Sequence, residues 1–307
     1  MSKIFIIKNN NIEVVKILLN HTNIDINSKP NYTFDGDTAL NIAIRNNNFE
    51  IVKLLLSKPN IDVNSQTKYS KSNTLITSLY LAIEQKNLEV VQLLLSHPNI
   101  DVSCYSTYVE KKISPSHMAK CYIEKAPIHL AAEQNNFEIM KLLLSNPKID
   151  INSKSYYSNP YRRSVQNSAL HIAIKNENIN IIKLLLENSQ TDVNLKNIYG
   201  YEGETIVEKS NVDSPFVRSE YIEMKTPLYL AVEKKNAEII QLLLKRSDLD
   251  IKCKINFFET HYYTTLKTRE NIKFLEKHRE KSIFDEVIHL CNEEINDLLK
   301  NEIEKRQ

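Results

Sequence analysis

Glycine is almost missing from this chain: its 307 residues hold only Gly36, Gly200 and Gly203. That scarcity excludes a glycine-rich phosphate loop, which needs several residues without a Cβ at close spacing. Long apolar runs are missing too. No stretch approaches the ~18 apolar residues of a membrane-spanning helix. The leading MSKIFIIKNNN holds a run of four apolar residues before Lys8, too short for the core of a secretory signal. A dominant charge is also absent. Forty Lys and Arg face thirty-eight Asp and Glu, a net of +2, so no field favours nucleic acid or an anionic membrane by default. Cysteine is sparse and scattered (Cys104, Cys121, Cys253, Cys291), with no Cys-x-x-Cys pair to hold zinc. A reducing, cytoplasmic setting is the expectation, and the N-x-S/T matches at Asn20 and Asn31 then read as chance. The eight histidines are dispersed, and neither His-Glu-x-x-His nor Gly-x-Ser-x-Gly occurs. No enzyme, cofactor or metal site is expected.

What is present is repetition. FEIVKLLLSKPNIDVN at 49 returns as LEVVQLLLSHPNIDVS at 88, and the triple leucine recurs at 54, 93, 142, 184 and 242, with a weaker version at Ile17. Sixteen residues before each triplet stands a second marker, TALNIA at 38, TSLYLA at 77, APIHLA at 126, SALHIA at 168 and TPLYLA at 226. Ten residues after the first four triplets begin, Asn64, Ser103, Asn152 and Asn194 close a third marker such as NIDVN. A hydroxyl residue before Pro or Ala is a helix N-cap, so a short helix is predicted at each second marker. The triplet belongs to a second helix, expected to be apolar around most of its circumference. The IDVN segments read as extended chain entering a turn.

The junction between the two helices is written as Asn11, Asn48, Asn87, Asn136, Asn178 and Asn236, five of them with Glu two residues later. Asn is a favoured N-cap, and Glu in the first turn complements the positive end of the helix dipole.

In these markers the chain resembles the ankyrin-repeat family, whose T-P-L-H-x-A helix start is close to TPLYLA at 226 and APIHLA at 126. The resemblance implies an all-α, ankyrin-type solenoid of about seven helix-turn-helix repeats with projecting β-hairpin arms. The repeats fall at about 1–37, 38–76, 77–125, 126–167, 168–225, 226–281 and 282–307 of a single solenoid, the first and last terminal or degenerate. Met1 aligns with the first helix start, Asn292 with the last cap, and Glu286 replaces a core residue there, as suits a repeat whose outer face meets water. His129 and His171 fall on the family's structural histidine, a place taken elsewhere by Asn41, Tyr80 and Tyr229. The departure is at the family's inter-helix glycine, which is Asn47, Lys86, Asn135, Glu177 and Lys235 here. Lys and Glu cost on the order of 1 kcal/mol if the left-handed conformation is kept.

Spacing between helix starts varies (39, 49, 42, 58 and 56 residues) while the helical parts keep their length, so the variation lies in the arms. The arms at about 104–125, 195–225 and 253–281 exceed a minimal hairpin, and TRENIKFLEKHREK, with Ile272 and Leu275 among charged spacers, is compatible with a helix. Thirteen of fifteen tyrosines lie in arms. The fourth arm combines Tyr156, Tyr157, Tyr161, Arg162 and Arg163, rings and cations that suit an acidic peptide or a phosphate group. Arg45, Glu84, Glu133, Lys175 and Glu233 occupy the variable positions that the family uses for partner contacts; their mixed signs fit a protein surface rather than a phosphate stripe. The expectation is a monomeric, non-catalytic scaffold for a protein partner. Two alternatives stay open: an RNA or phosphoinositide adaptor using the basic arms at 111–125 and 153–163, and a family member without a strong partner.

Overall fold

The computed structural model describes residues 11–20, 25–29, 36–69, 74–114, 117–158, 163–206, 216–251, 254–264, 271–282 and 293–306. Met1, Glu286 and Asn292, to which terminal roles were assigned above, lie outside them. The chain forms two compact units, residues 1–153 and 154–307.

In the first unit α1 (Ile12–Leu19) is followed by three helix pairs: α2 (Ala39–Arg45) with α3 (Phe49–Leu56), α4 (Ser78–Glu84) with α5 (Leu88–Leu95), and α6 (Pro127–Glu133) with α7 (Phe137–Leu144). Like packs on like, α2 on α4 on α6 and α1 on α3 on α5 on α7. The second unit repeats the pattern with α8 (Ala169–Lys175) and α9 (Ile179–Glu187), α10 (Pro227–Glu233) and α11 (Ala237–Leu244), then α12 (Glu293–Arg306) against α11.

The core inverts one expectation. It is the first helix of each pair that is enclosed: six consecutive residues are buried in α2, α4, α6, α8 and α10. A helix apolar all round must be covered all round, and stacked neighbours supply the cover. The second helices bury only a stripe, such as Ile51, Val52 and Leu55, with the middle leucine of every triplet inside, the first half-exposed, and the third buried only in α9 and α11.

Caps fall where the asparagines predict. Asn11, Asn48, Asn87, Asn136 and Asn236 accept a hydrogen bond from the backbone N–H three residues on. Asn178, the one without a following Glu, makes no such side-chain bond. Before each cap the chain turns through a residue at φ between 52° and 57°: Asn47, Lys86, Asn135, Glu177 and Lys235. The N–H of the next residue reaches back to the carbonyl five residues earlier, as Asn87 does to Ala82 (3.1 Å) and Asn236 to Ala231 (3.3 Å). That closure is why the left-handed conformation survives without glycine. Lys86→Gly and Lys235→Gly should therefore each raise stability by about 1 kcal/mol. Urea denaturation checks this, and an unchanged or lowered midpoint would show that the strain is relieved elsewhere.

The all-α expectation is corrected by the arms, which pair into antiparallel sheet. In the first unit β1 (Gln66–Tyr69), β2 (Thr74–Thr77), β3 (Ser106–Ser114) and β4 (His117–Lys125) pair in chain order. In the second, β5 (Ser155–Ser158), β6 (Arg163–Asn167), β7 (Ile198–Ile206), β8 (Phe216–Met224), β9 (Lys254–Thr264) and β10 (Asn271–Ser282) do the same. β10 overturns the helical reading of TRENIKFLEKHREK. From Asn271 on its apolar residues are Ile272, Phe274 and Leu275 alone, too few for a helical stripe, and that part pairs along one edge with the aromatic-rich β9.

Candidate functional site

The inner-helix positions predicted to meet a partner are bound to their own arms. Each first helix runs seven residues, and side chains on a helix lean toward its N-terminus. A long side chain on the last residue therefore reaches the residue eight positions upstream, the last of the arm before the cap. Arg45 pairs with Asp37 (3.1 Å), Glu133 with Lys125 (2.6 Å) and Glu233 with Lys225 (2.9 Å). Lys175 follows the same geometry but meets a neutral amide, donating to Asn167 Oδ1 (3.0 Å). Glu84 has the buried Ile76 at that place, and its own side chain is exposed.

Two lysines at these arm bases are tuned in opposite directions. Burial alone would lower Lys225, but the hydrogen bond it donates to Glu233 and the charge of Glu223 outweigh it and hold its pKa above the usual lysine value. Lys175 is pushed down, first by burial and then by the positive charge of Lys225.

The fourth arm is only partly within view. Tyr156 and Tyr157 lie half-buried on β5, opposite Gln166 and Val165. Arg163 opens β6 opposite Tyr201, with its side chain outside the described residues, as are Tyr161 and Arg162 altogether. Exposed rings among the described residues include others that sequence reasoning did not single out as contacts, Tyr122 on β4 (49%) and Tyr199 on β7 (41%). A count of arm tyrosines contained them without saying which face water.

The histidines are structural. Ala126 has no side-chain oxygen to cap α6, and His129 Nδ1 instead accepts the Ala126 N–H (3.0 Å). Nε2 then carries the ring proton and donates it to the Ser153 carbonyl (2.9 Å). His171 holds Ser168 in the same way, its Nδ1 2.7 Å from the hydroxyl. Its Nε2 has no partner within hydrogen-bond geometry, and the nearby backbone of Leu195 and Lys225 only partly offsets the burial. Burial pushes the His129 pKa down to about 4 and that of His171 to about 3, so both rings are neutral at pH 7.

Asp and Asn of the arm marker act together across repeats, which local reading did not reveal. The Asp carboxylate accepts the N–H two residues on at Asp25, Asp62, Asp101, Asp150 and Asp192. The turn this fixes presents the following Asn to the next repeat. Asn64 donates to the Asn99 carbonyl (2.7 Å) and accepts from the Asp101 N–H (2.8 Å). Asn27 clamps Asn60 and Asp62, and Asn194 clamps Asp248 and Asp250, with the same polarity. The recurrence of Asn at one period was the available signal.

Nothing described suggests group transfer. Cys104 donates to Asp101 (2.9 Å), and burial followed by that hydrogen bond pushes the thiol up to about 12, which leaves it un-ionised and inert at neutral pH. Among the described residues no His, Cys, Asp and Glu cluster suits a metal, and no helix is long and apolar enough to cross a membrane.

Comparison with known proteins agrees with the repeat. The family model for ankyrin repeats (3 copies) matches residues 4–106 and 109–197, and the single ankyrin repeat model matches 224–254. The crystal structure of EF0377, an ankyrin repeat protein, is similar at a TM-score of 0.51 and 23% identity, over 79% of this chain and 96% of that one. The crystal structure of the Legionella pneumophila effector AnkC gives 0.47 and 17%, over 80% of this chain and 66% of that one. At 23% identity the likeness to EF0377 speaks for the fold alone. No curated protein matches the sequence.

Proposed function

Because the chain belongs to the ankyrin-repeat family, whose members generally mediate protein–protein interaction and are typically non-catalytic, we propose that it is a scaffold binding a partner protein mainly through its hairpin arms. The array of seven repeats and the monomeric, cytoplasmic state read from the sequence belong to this proposal. The observation that carries the choice of surface is the internal pairing of Arg45, Glu133 and Glu233 with their own arm bases. A side chain already holding an ion pair must break it to serve a partner, whereas exposed rings such as Tyr122 and Tyr199 can be covered at little conformational cost. Tyr156, Tyr157, Tyr161, Arg162 and Arg163 remain the assigned centre of the fourth arm.

Affinity capture from lysate of the source cells tests the reading with three baits: the intact chain, a five-alanine variant of that arm, and Arg45→Ala/Glu84→Ala. A protein retained by the intact chain and the helix-end variant but lost from the arm variant is expected, with circular dichroism showing all three folded. Identical captures by all three would remove the arm assignment. Capture that collapses between 50 and 200 mM salt, on the order of 10³-fold, would replace the protein partner by RNA or phosphoinositide.

A further inference from the structure

We propose that Lys175, beside the Tyr199 ring at the base of the second unit's arms, is the seat for a carboxylate carried by an acidic segment of the partner protein. The inference rests on the scaffold reading and gives that partner a chemistry. It comes from an exception to a rule. Arg45, Glu133 and Glu233 each find an opposite charge eight residues upstream, but Lys175 finds Asn167.

Asp at 167 would have kept every described bond of that side chain. Asn167 Oδ1 only accepts, from Lys175 Nζ (3.0 Å) and from Asn197 Nδ2 (3.2 Å), and a carboxylate oxygen accepts both. The neighbouring acids are engaged elsewhere: Glu233 (2.9 Å) and Glu223 (3.2 Å) both lie on Lys225. Lys175 thus stands half-buried with no ion pair among the described residues, facing the like charge of Lys225. A cation in that position gains from an incoming anion what its own arm does not supply.

Access and selectivity follow from the surroundings. Lys175 Nζ is 5.2 Å from the Tyr199 ring centroid, and Tyr199 is 41% exposed, so a side chain arriving over the ring reaches the ammonium without displacing a buried group. The ring attracts the cation from one side and offers its apolar face to the methylenes of an incoming Glu. A single ammonium lacks the planar fork that grips phosphate in two places.

The full chain, 13C-labelled at lysine, is titrated with an end-capped tetraglutamate peptide and, separately, with inorganic phosphate. The Lys175 ε-CH2 signal is identified by its loss in Lys175→Met. The peptide is expected to shift this signal saturably and ahead of other lysines. Asn167→Asp, which supplies the missing carboxylate internally, is expected to raise the Lys175 pKa and weaken the peptide effect by about tenfold. A peptide response at Lys175 no larger than at other lysines, or one unchanged in Asn167→Asp, overturns the site. Phosphate acting as strongly as the peptide overturns the carboxylate assignment. Because the titration needs no cellular partner, the site can stand while the capture experiment fails, and the reverse.

Discussion

Lowering the pH from 7 to 5 is expected to cost this protein about 4 kcal/mol of stability through His129 and His171 together. The unfolded chain takes up a proton on each ring near pH 6.5, whereas burial holds the folded values at about 4 and about 3. Between those limits the unfolded state binds more protons, so stability rises with pH. The contribution is complete above pH 6.5, is lost as pH falls, and is exhausted near pH 4 for His129 and near pH 3 for His171. At about 1.4 kcal/mol per pH unit, pH 5 removes about 2 kcal/mol for each histidine. The effect reaches both compact units, since His129 lies in one and His171 in the other.

The chain supplies its own control. Thr77 with Tyr80 and Thr226 with Tyr229 occupy the same two places in other repeats, and both tyrosines are buried at 2% and 7% exposure. Ala126→Thr/His129→Tyr and Ser168→Thr/His171→Tyr should each flatten the loss for one unit, read by urea denaturation at pH 7 and pH 5. If both variants weaken as much as the parent chain, the acid sensitivity belongs to carboxylates and the histidine account is wrong.

The second large effect concerns the arm asparagines. Asn64→Asp keeps the shape and the bond from the Asp101 N–H but removes the donor that the Asn99 carbonyl uses. It also sets a carboxylate oxygen against that carbonyl. The cost is about 2 kcal/mol, the range for a broken bond that leaves a polar group unsatisfied. Asn194→Asp should act alike on Asp248 and Asp250. In a stack whose stability is a sum of repeats and nearest-neighbour interfaces, the damage falls on the coupling. The Asp101 amide keeps its acceptor, so the loss is read from the urea transition, whose midpoint should fall and which should broaden. A variant with an unchanged midpoint and an unchanged transition width would reduce the clamp to an ornament of the loop. Ser103, which replaces Asn in one arm, makes a single long contact with the Lys148 carbonyl (3.5 Å), so that junction is expected to be the weaker one of its unit.

Fixed offsets within each repeat made the helices readable. Thr-Pro-Leu and Asn-x-Glu mark caps, and caps depend on residues three or four apart, so their effect is visible locally. The left-handed turns at Lys86 and Glu177 were only a condition in the sequence, attached to the family's glycine position, and it is the structure that holds them at φ 57° and 55°. The candidate charges close the first helices, and their internal partners were not legible, since a salt bridge eight residues back exists only once the arm has been laid beside the helix. For β10 the sequence misled, because strand pairing there is set by the neighbouring hairpin rather than by the run's own pattern.

By itself the sequence determined the family, the positions of the helices and their caps, and the repeat as the source of the core, for each of these rests on short-range chemistry recurring at constant offsets. The tertiary structure alone decided which helix of each pair is enclosed, that the arms join into sheet, and that an asparagine in one repeat clamps the backbone of the next. It also decided that Lys175 lacks the counter-charge that Arg45, Glu133 and Glu233 possess. Those outcomes depend on groups brought together from distant parts of the chain, and their distances are set by packing rather than by sequence separation.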